Sequence, residues 1–185
     1  FAKLDDIQWV PKGRYVVMRQ HLAKTGRLAH NMMKGTCATQ ASFDFADEQD
    51  CAKKVAVASA IAPIVLALSA NSPYTDGRAN GFMSYRGNIW LHTDPSRTGL
   101  PDAAEKFSFA RWVDYLLDVP LLFKRNPKGH WLPGGNDATF RAWMVDAAAP
   151  ATREDWNLHQ TSIFPEVRIK GQIEVRSPDS APLPS

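Results

Sequence analysis

Residues 166–176 read Glu-Val-Arg-Ile-Lys-Gly-Gln-Ile-Glu-Val-Arg, and the reading of this stretch decides the fold. Val167, Ile169, Ile173 and Val175 recur at every second position, while Glu166, Arg168, Lys170, Gln172, Glu174 and Arg176 take the alternate ones. A period of two sends the two sets to opposite faces of a β-strand. The spacing therefore predicts one strand through the stretch, with its apolar row against a core. Along the polar row, carboxylates and cations alternate at about 6.6 Å. Two readings of that row stay open. It is an ordinary solvated strand face, or a surface where Glu holds a divalent metal while Arg and Lys neutralise phosphate or carboxylate oxygens.

A second alternation runs from Thr36 to Phe45, with Cys37, Thr39, Ala41, Phe43 and Phe45 on one side and Thr36, Gln40, Ser42 and Asp44 on the other. Between the two strands the pattern is helical. Pro11-Lys12-Gly13 turns into a helix over about 14–24. Asp47, followed by Glu48 and Asp50, caps an Ala/Val-rich helix that reaches about Leu68 and bends at Pro63. Residues 71–80 are turn chemistry, 82–93 a short irregular helix, and 107–118 an amphipathic helix. A short strand at 119–123 precedes the turn Asn126-Pro127-Lys128-Gly129, and a helix over 139–148 is capped near Asp137 or Thr139. Thr152 with Asp155 opens a last helix through about His159. The expected class is α+β: one domain over 1–185, its antiparallel strands forming part of a curved sheet with helices packed on the outer face.

Composition narrows the function. With 44% apolar residues, 6 Trp, 9 Phe and 4 Tyr in 185 residues, the chain is not disordered. A net charge of +3 without a basic stripe argues against nucleic acid as a partner. The longest apolar run, Ile61 to Ala70, is about half a bilayer span, which predicts no membrane-crossing helix. No signal-peptide pattern opens the chain, and two cysteines are too few for a disulfide framework or a zinc site, so a reducing cytoplasm is the expected compartment. The opening on Phe1 and the Pro/Ser-rich close predict a piece of a longer polypeptide. There is no phosphate loop and no nucleophile elbow. His92 and His159 read as hydrogen-bonding structural residues, and Cys37 as packing on the apolar strand face. Arg86 and Trp90, at i and i+4, form a surface cation–π pair or a carboxylate clamp.

Several strings occur together: VPKGRY (10–15), TCATQASFDF (36–45), ANSPYTDGRANGFMSYRGNIW (70–90), TDPSRTG (93–99), WVDYLLDVP (112–120) and DWNLHQTSIFPEVRIKGQIEVR (155–176). In this order the chain resembles the plant and proteobacterial type of glutamate–cysteine ligase, within the glutamine synthetase-like carboxylate–amine ligases. The resemblance implies ATP-dependent joining of the γ-carboxylate of L-glutamate to the amine of L-cysteine through a γ-glutamyl phosphate, the first step of glutathione-type thiol synthesis. It implies Arg14, Gln40, Arg86 and Trp90 on glutamate, Tyr15 and Leu122 at the acceptor pocket, and Arg168 and Lys170 on nucleotide phosphate. Glu174 and Glu166 become metal candidates and Arg176 the catalytic contact, with ATP and Mg²⁺ as cofactors. Partners would be the small substrates and the remainder of the ligase chain, with a homo-oligomer left open. Leu122 stands where the family pattern has a tyrosine, so an enzyme with another amine acceptor is an alternative. So is a non-catalytic amino-acid-binding remnant, because one or two carboxylates cannot by themselves hold the Mg²⁺ ions.

Overall fold

The stretch that reads as one strand is a hairpin in the computed structural model, which describes residues 3–135 and 138–180. Two strands, Val167–Ile169 and Ile173–Val175, pair antiparallel and turn at Gly171. Gly171 has φ 73°, a left-handed conformation in which a side chain would be strained, and Lys170 N–H closes the turn on the Gln172 carbonyl at 2.9 Å. Parity alone does not reveal the turn: its three residues leave Val167, Ile169, Ile173 and Val175 on one face. Folding does change who meets whom. Arg168 now lies directly across from Glu174.

In chain order the helices are α1 (Gly13–Thr25), α2 (Ala29–Lys34), α3 (Glu48–Leu68), α4 (Tyr85–Leu91), α5 (Asp102–Glu105), α6 (Phe109–Asp118), α7 (Phe140–Met144) and α8 (Arg153–Gln160). The strands are β1 (Ala41–Phe43), β2 (Tyr74–Thr75), β3 (Arg78–Ala79), β4 (Phe123–Arg125), β5 (Trp131–Pro133), β6 (Val167–Ile169) and β7 (Ile173–Val175). A short 3-10 turn, Leu4–Asp6, precedes them. β1, β7 and β6 form an antiparallel sheet in that order, with Ser42, Glu174 and Arg168 in one row across it. The pairs β2–β3 and β4–β5 are separate hairpins. The mixed helix-and-sheet class is as expected.

The caps follow the sequence closely. Asp47 Oδ1 accepts the Asp50 N–H at 2.8 Å, and Thr152 and Asp155 close a reciprocal capping box. Ser108 and Thr139 cap α6 and α7; Asp137 lies outside the described residues. Asn126 Oδ1 accepts from the Lys128 and His130 amides and shapes the β4–β5 turn. Asp76 and Gly77, both at positive φ, carry the β2–β3 turn.

One core cluster joins Cys51 and Val55 of α3, Trp112 and Leu116 of α6, and the apolar face of the β6–β7 hairpin. A second joins Val17 and Leu22 of α1 to Leu122 and Phe123. Five expectations are corrected. The Thr36–Phe45 strand is regular only over Ala41–Phe43, the 119–123 strand begins at Phe123, and the 139–148 helix ends at Met144. Cys37 is exposed rather than packed. Finally, α3 is 21 residues with mean hydropathy 1.8 in its most apolar window, so by length and composition it could span a bilayer. Here Cys51, Val55, Ala58 and Ala62 face the protein interior instead.

Candidate functional site

The polar face of the sheet is a network. Glu174 Oε2 accepts from Arg168 Nε at 2.7 Å and Nη2 at 2.6 Å, and from Arg176 Nη1 at 3.2 Å. One carboxylate thus serves two guanidiniums, which leaves positive charge over. Beyond Val175 the ladder slips. Ala41 pairs with Val175, but Ala38 bridges Asp179, so two residues of one strand oppose three of the other. This is a bulge at Arg176-Ser177-Pro178; Pro178 has no N–H for a regular ladder. Gln40, which is exposed, lies across from it.

The bulge leaves two carbonyls for another partner, and Arg86 takes both. Its Nη2 donates to Arg176 O at 2.7 Å and its Nη1 to Ser177 O at 3.0 Å. Ser84 caps the short helix that carries Arg86 and Trp90 on one face, so the i, i+4 reading holds. The guanidinium carbons of Arg86 and Arg176 lie 5.5 and 5.7 Å from the Trp90 ring centre, and Phe164 meets the same ring edge-on. Arg86 is only 4% exposed, and burial, the largest influence, disfavours its charge while Glu166 and Asp179 favour it. Arg176 is pushed the same way, first by burial and then by the charge of Arg168. Arg86 Nε, Trp90 Nε1 and Ser177 Oγ are buried without a hydrogen-bond partner among the described residues. Unpaired buried donors beside clustered guanidiniums suit an anion. A cleft of about 320 Å³ opens next to Arg86, bordered by Thr36, Cys37, Ser72, Tyr85 and Asp179.

Not every expected site residue is here. Arg14 and Tyr15 begin α1, where the Arg14 guanidinium lies 5.1 Å over the Tyr15 ring. Lys170 is exposed at the opposite end of the hairpin from Arg176. Leu122, expected at an acceptor pocket, is 1% exposed and packs in the second core cluster, so its side chain borders no open space. For the metal, no group of three His, Cys, Asp or Glu side chains comes together among the described residues. Glu166 and Glu174 do not by themselves make a Mg²⁺ site, and Glu174 is already held by two cations.

Sequence reasoning missed Arg97. It is fully buried, with Nε on Asp94 at 2.6 Å, Nη1 on Ser162 O at 3.3 Å and Nη2 on Pro120 O at 3.1 Å. Burial raises the Asp94 carboxyl, but its hydrogen bonds and the Arg97 charge hold it well below the usual range. His159 is structural, as expected. It bonds Leu116 O at 2.7 Å, and burial pushes it down to about 4.

Residues 3–185 match the family described as Glutamate-cysteine ligase family 2 (GCS2). The chain belongs to that family. Among its relatives in glutamate-cysteine ligase family 2, glutamate–cysteine ligase B, chloroplastic, of Oryza sativa subsp. japonica is 42% identical, covering 97% of this chain and 37% of its own length. The chloroplastic enzyme of Nicotiana tabacum is 41% identical, over 97% and 35%, and that of Arabidopsis thaliana 40%, over 96% and 35%. This chain therefore spans little more than a third of the length of these relatives. Their names overturn the cytoplasmic expectation, since each is a chloroplastic protein.

Proposed function

We propose that this chain is the later part of the catalytic domain of an ATP-dependent ligase joining the γ-carboxylate of L-glutamate to the amine of L-cysteine. The observation that carries the reading is the cluster of guanidiniums at the strand end, where Arg86 and Arg176 lie beside Trp90, Arg168 shares Glu174 with Arg176, and Arg86 keeps an unpartnered Nε among the described residues. Family membership supplies the reaction. In it the γ-carboxylate takes the terminal phosphoryl group of ATP, giving an acyl phosphate; the cysteine amine attacks the acyl carbon, phosphate leaves and a proton is lost.

Negative charge passes through both steps, and fixed cations in a partly dry site favour it without reorganisation. In this reading Arg86 and Trp90 orient the glutamate carboxylate, and Arg176 faces the oxygens that gain charge. Arg168 shares Glu174 with Arg176 and so sets the Arg176 rotamer. Gln40, Arg14 and Tyr15 would reach the substrates from β1 and α1, and Lys170 the nucleotide phosphate. Mg²⁺ would require carboxylates beyond Glu166 and Glu174. We further propose that the sheet is one part of a glutamine synthetase-like curved antiparallel sheet, and that the compartment is a plastid, as in the relatives' names.

The test is phosphate release by the full-length protein, with glutamate, cysteine and ATP omitted in turn. Release that needs all three, and falls by about 100-fold or more in Arg176→Ala, supports the reading. Release without an amine, or an Arg176→Ala variant as fast as wild type, contradicts it.

A further inference from the structure

Two buried charges of opposite sign stand side by side without touching. The Arg86 guanidinium has no carboxylate in ion-pair contact among the described residues, and its Nε has no hydrogen-bond partner there. Asp179, 3% exposed, has no cation in ion-pair contact among them either. Its Oδ2 accepts the Asn71 N–H at 3.1 Å and the Ser72 hydroxyl at 2.6 Å, while its Oδ1 accepts nothing from the described residues. Ser72 holds the two residues next to each other, because its Oγ also accepts the Arg86 backbone N–H at 3.0 Å. The bulge does the rest: it turns the Ser177 carbonyl to Arg86 and lets Asp179 resume the ladder opposite Ala38. Both side chains border the cleft of about 320 Å³, which also has Asp76 of the β2–β3 turn in its lining. A buried charge normally finds a counter-charge, since leaving it unpaired is strongly unfavourable.

We infer that Asp179 is a specificity-determining residue for the α-ammonium group of the amino-acid substrate, with Arg86 on the adjoining α-carboxylate, so that the two charges complete each other through the ligand. The inference deepens the proposed ligase reading and rests on it. An α-amino acid matches the pair chemically, because its ammonium and carboxylate sit on one carbon and differ in sign. A simple anion does not match: it would meet Arg86 but be repelled by Asp179 and Asp76. A purely structural role accounts for only one oxygen of Asp179. Oδ2 ties the 71–72 segment to the strand end, and Oδ1 is left for an ammonium, which is donor only. The assignment also explains which end of glutamate reacts. With the α end held between Arg86 and Asp179, the γ-carboxylate is the one left to take the phosphoryl group, and the α-carboxylate is kept from it.

Calorimetric titration of L-glutamate and of glutarate, the same dicarboxylate without the amine, into the full-length protein tests it. Asp179→Asn keeps an oxygen for the Asn71 and Ser72 donors and removes the charge. Wild type should bind glutamate at least about 30-fold tighter than glutarate, and Asp179→Asn should narrow that ratio to less than about threefold by weakening glutamate alone. A wild-type ratio below about threefold, or a ratio unchanged in the variant, overturns the inference. Arg86→Ala, run alongside, separates the two readings. Glutamate weakened by Arg86→Ala, with the ratio kept in Asp179→Asn, overturns this inference alone; glutamate unchanged in both variants overturns the ligase reading of the site with it. If Asp179→Asn fails to fold, alkylation of Cys37 in the wild type decides, because Cys37 is exposed and borders the same cleft. Glutamate at about ten times its Kd should slow that alkylation about tenfold, and glutarate at the same concentration should not. Labelling unaffected by glutamate, or slowed equally by glutarate, overturns the inference.

Discussion

Arg97 and Arg86 are both buried arginines, and they differ in what is left over. Every guanidinium nitrogen of Arg97 has a partner, and Asp94 neutralises its charge. Arg86 uses two nitrogens on backbone carbonyls, leaves Nε without a partner among the described residues, and feels Glu166 and Asp179 only at a distance, with no carboxylate in ion-pair contact among the described residues. A satisfied pair holds the chain together: Arg97 ties the 93–99 turn to Pro120 and to Ser162. A buried guanidinium with an unpaired N–H and no carboxylate in direct contact has a donor to spare for a ligand. The comparison separates architecture from site where burial alone does not.

The largest effect should come from breaking the satisfied pair. Arg97→Met leaves Asp94 buried with its ion pair gone and should cost about 3–5 kcal/mol of unfolding free energy in denaturant titration. Adding Asp94→Leu should recover most of that loss, because the orphaned charge goes with it. A cost below about 1 kcal/mol for the single variant would mean that Arg97 is not the tie described.

A similar effect comes from His159, held neutral by burial with its pKa pushed down to about 4 from 6.5. Below pH 6.5 the unfolded chain takes up a proton that the folded one refuses. Stability is therefore full above 6.5, falls as pH drops, and has lost roughly 3 kcal/mol by pH 4. His159→Gln should flatten that slope in a series of denaturant titrations across this window; an unchanged slope assigns it to other groups.

How much of this was legible in the sequence differs between the two regions as well. The caps at Asp47 and Thr152, the Asn126 turn and the Arg86/Trp90 spacing are local, because each depends on neighbours within four residues. The hairpin at Gly171 was hidden, since a three-residue turn preserves the period of two. The bulge was hidden too, being a register slip between Ala38 and Asp179 that neither segment shows alone. Arg97 gave no sign, because its carbonyl partners are 23 and 65 residues away. The burial of Leu122 in the second core cluster was not legible, since a substitution within a resembling string says nothing about which way the side chain faces.

The smallest effect on stability belongs to the site. Glu174 and its two arginines are partly open to solvent, so Glu174→Gln should change unfolding free energy by no more than about 1 kcal/mol while removing most of the ligase activity of the full-length protein. A variant that is active and equally stable would leave Glu174 as part of a solvated face.

Calorimetric titration of L-glutamate and of ATP into the full-length protein, wild type and Arg86→Ala, tests the central claim most directly. If Arg86 at the strand end receives the glutamate carboxylate, the variant weakens glutamate by about 30- to 1,000-fold, or 2–4 kcal/mol, and ATP by less than about threefold. Equal weakening of both, or glutamate binding unchanged, would contradict it.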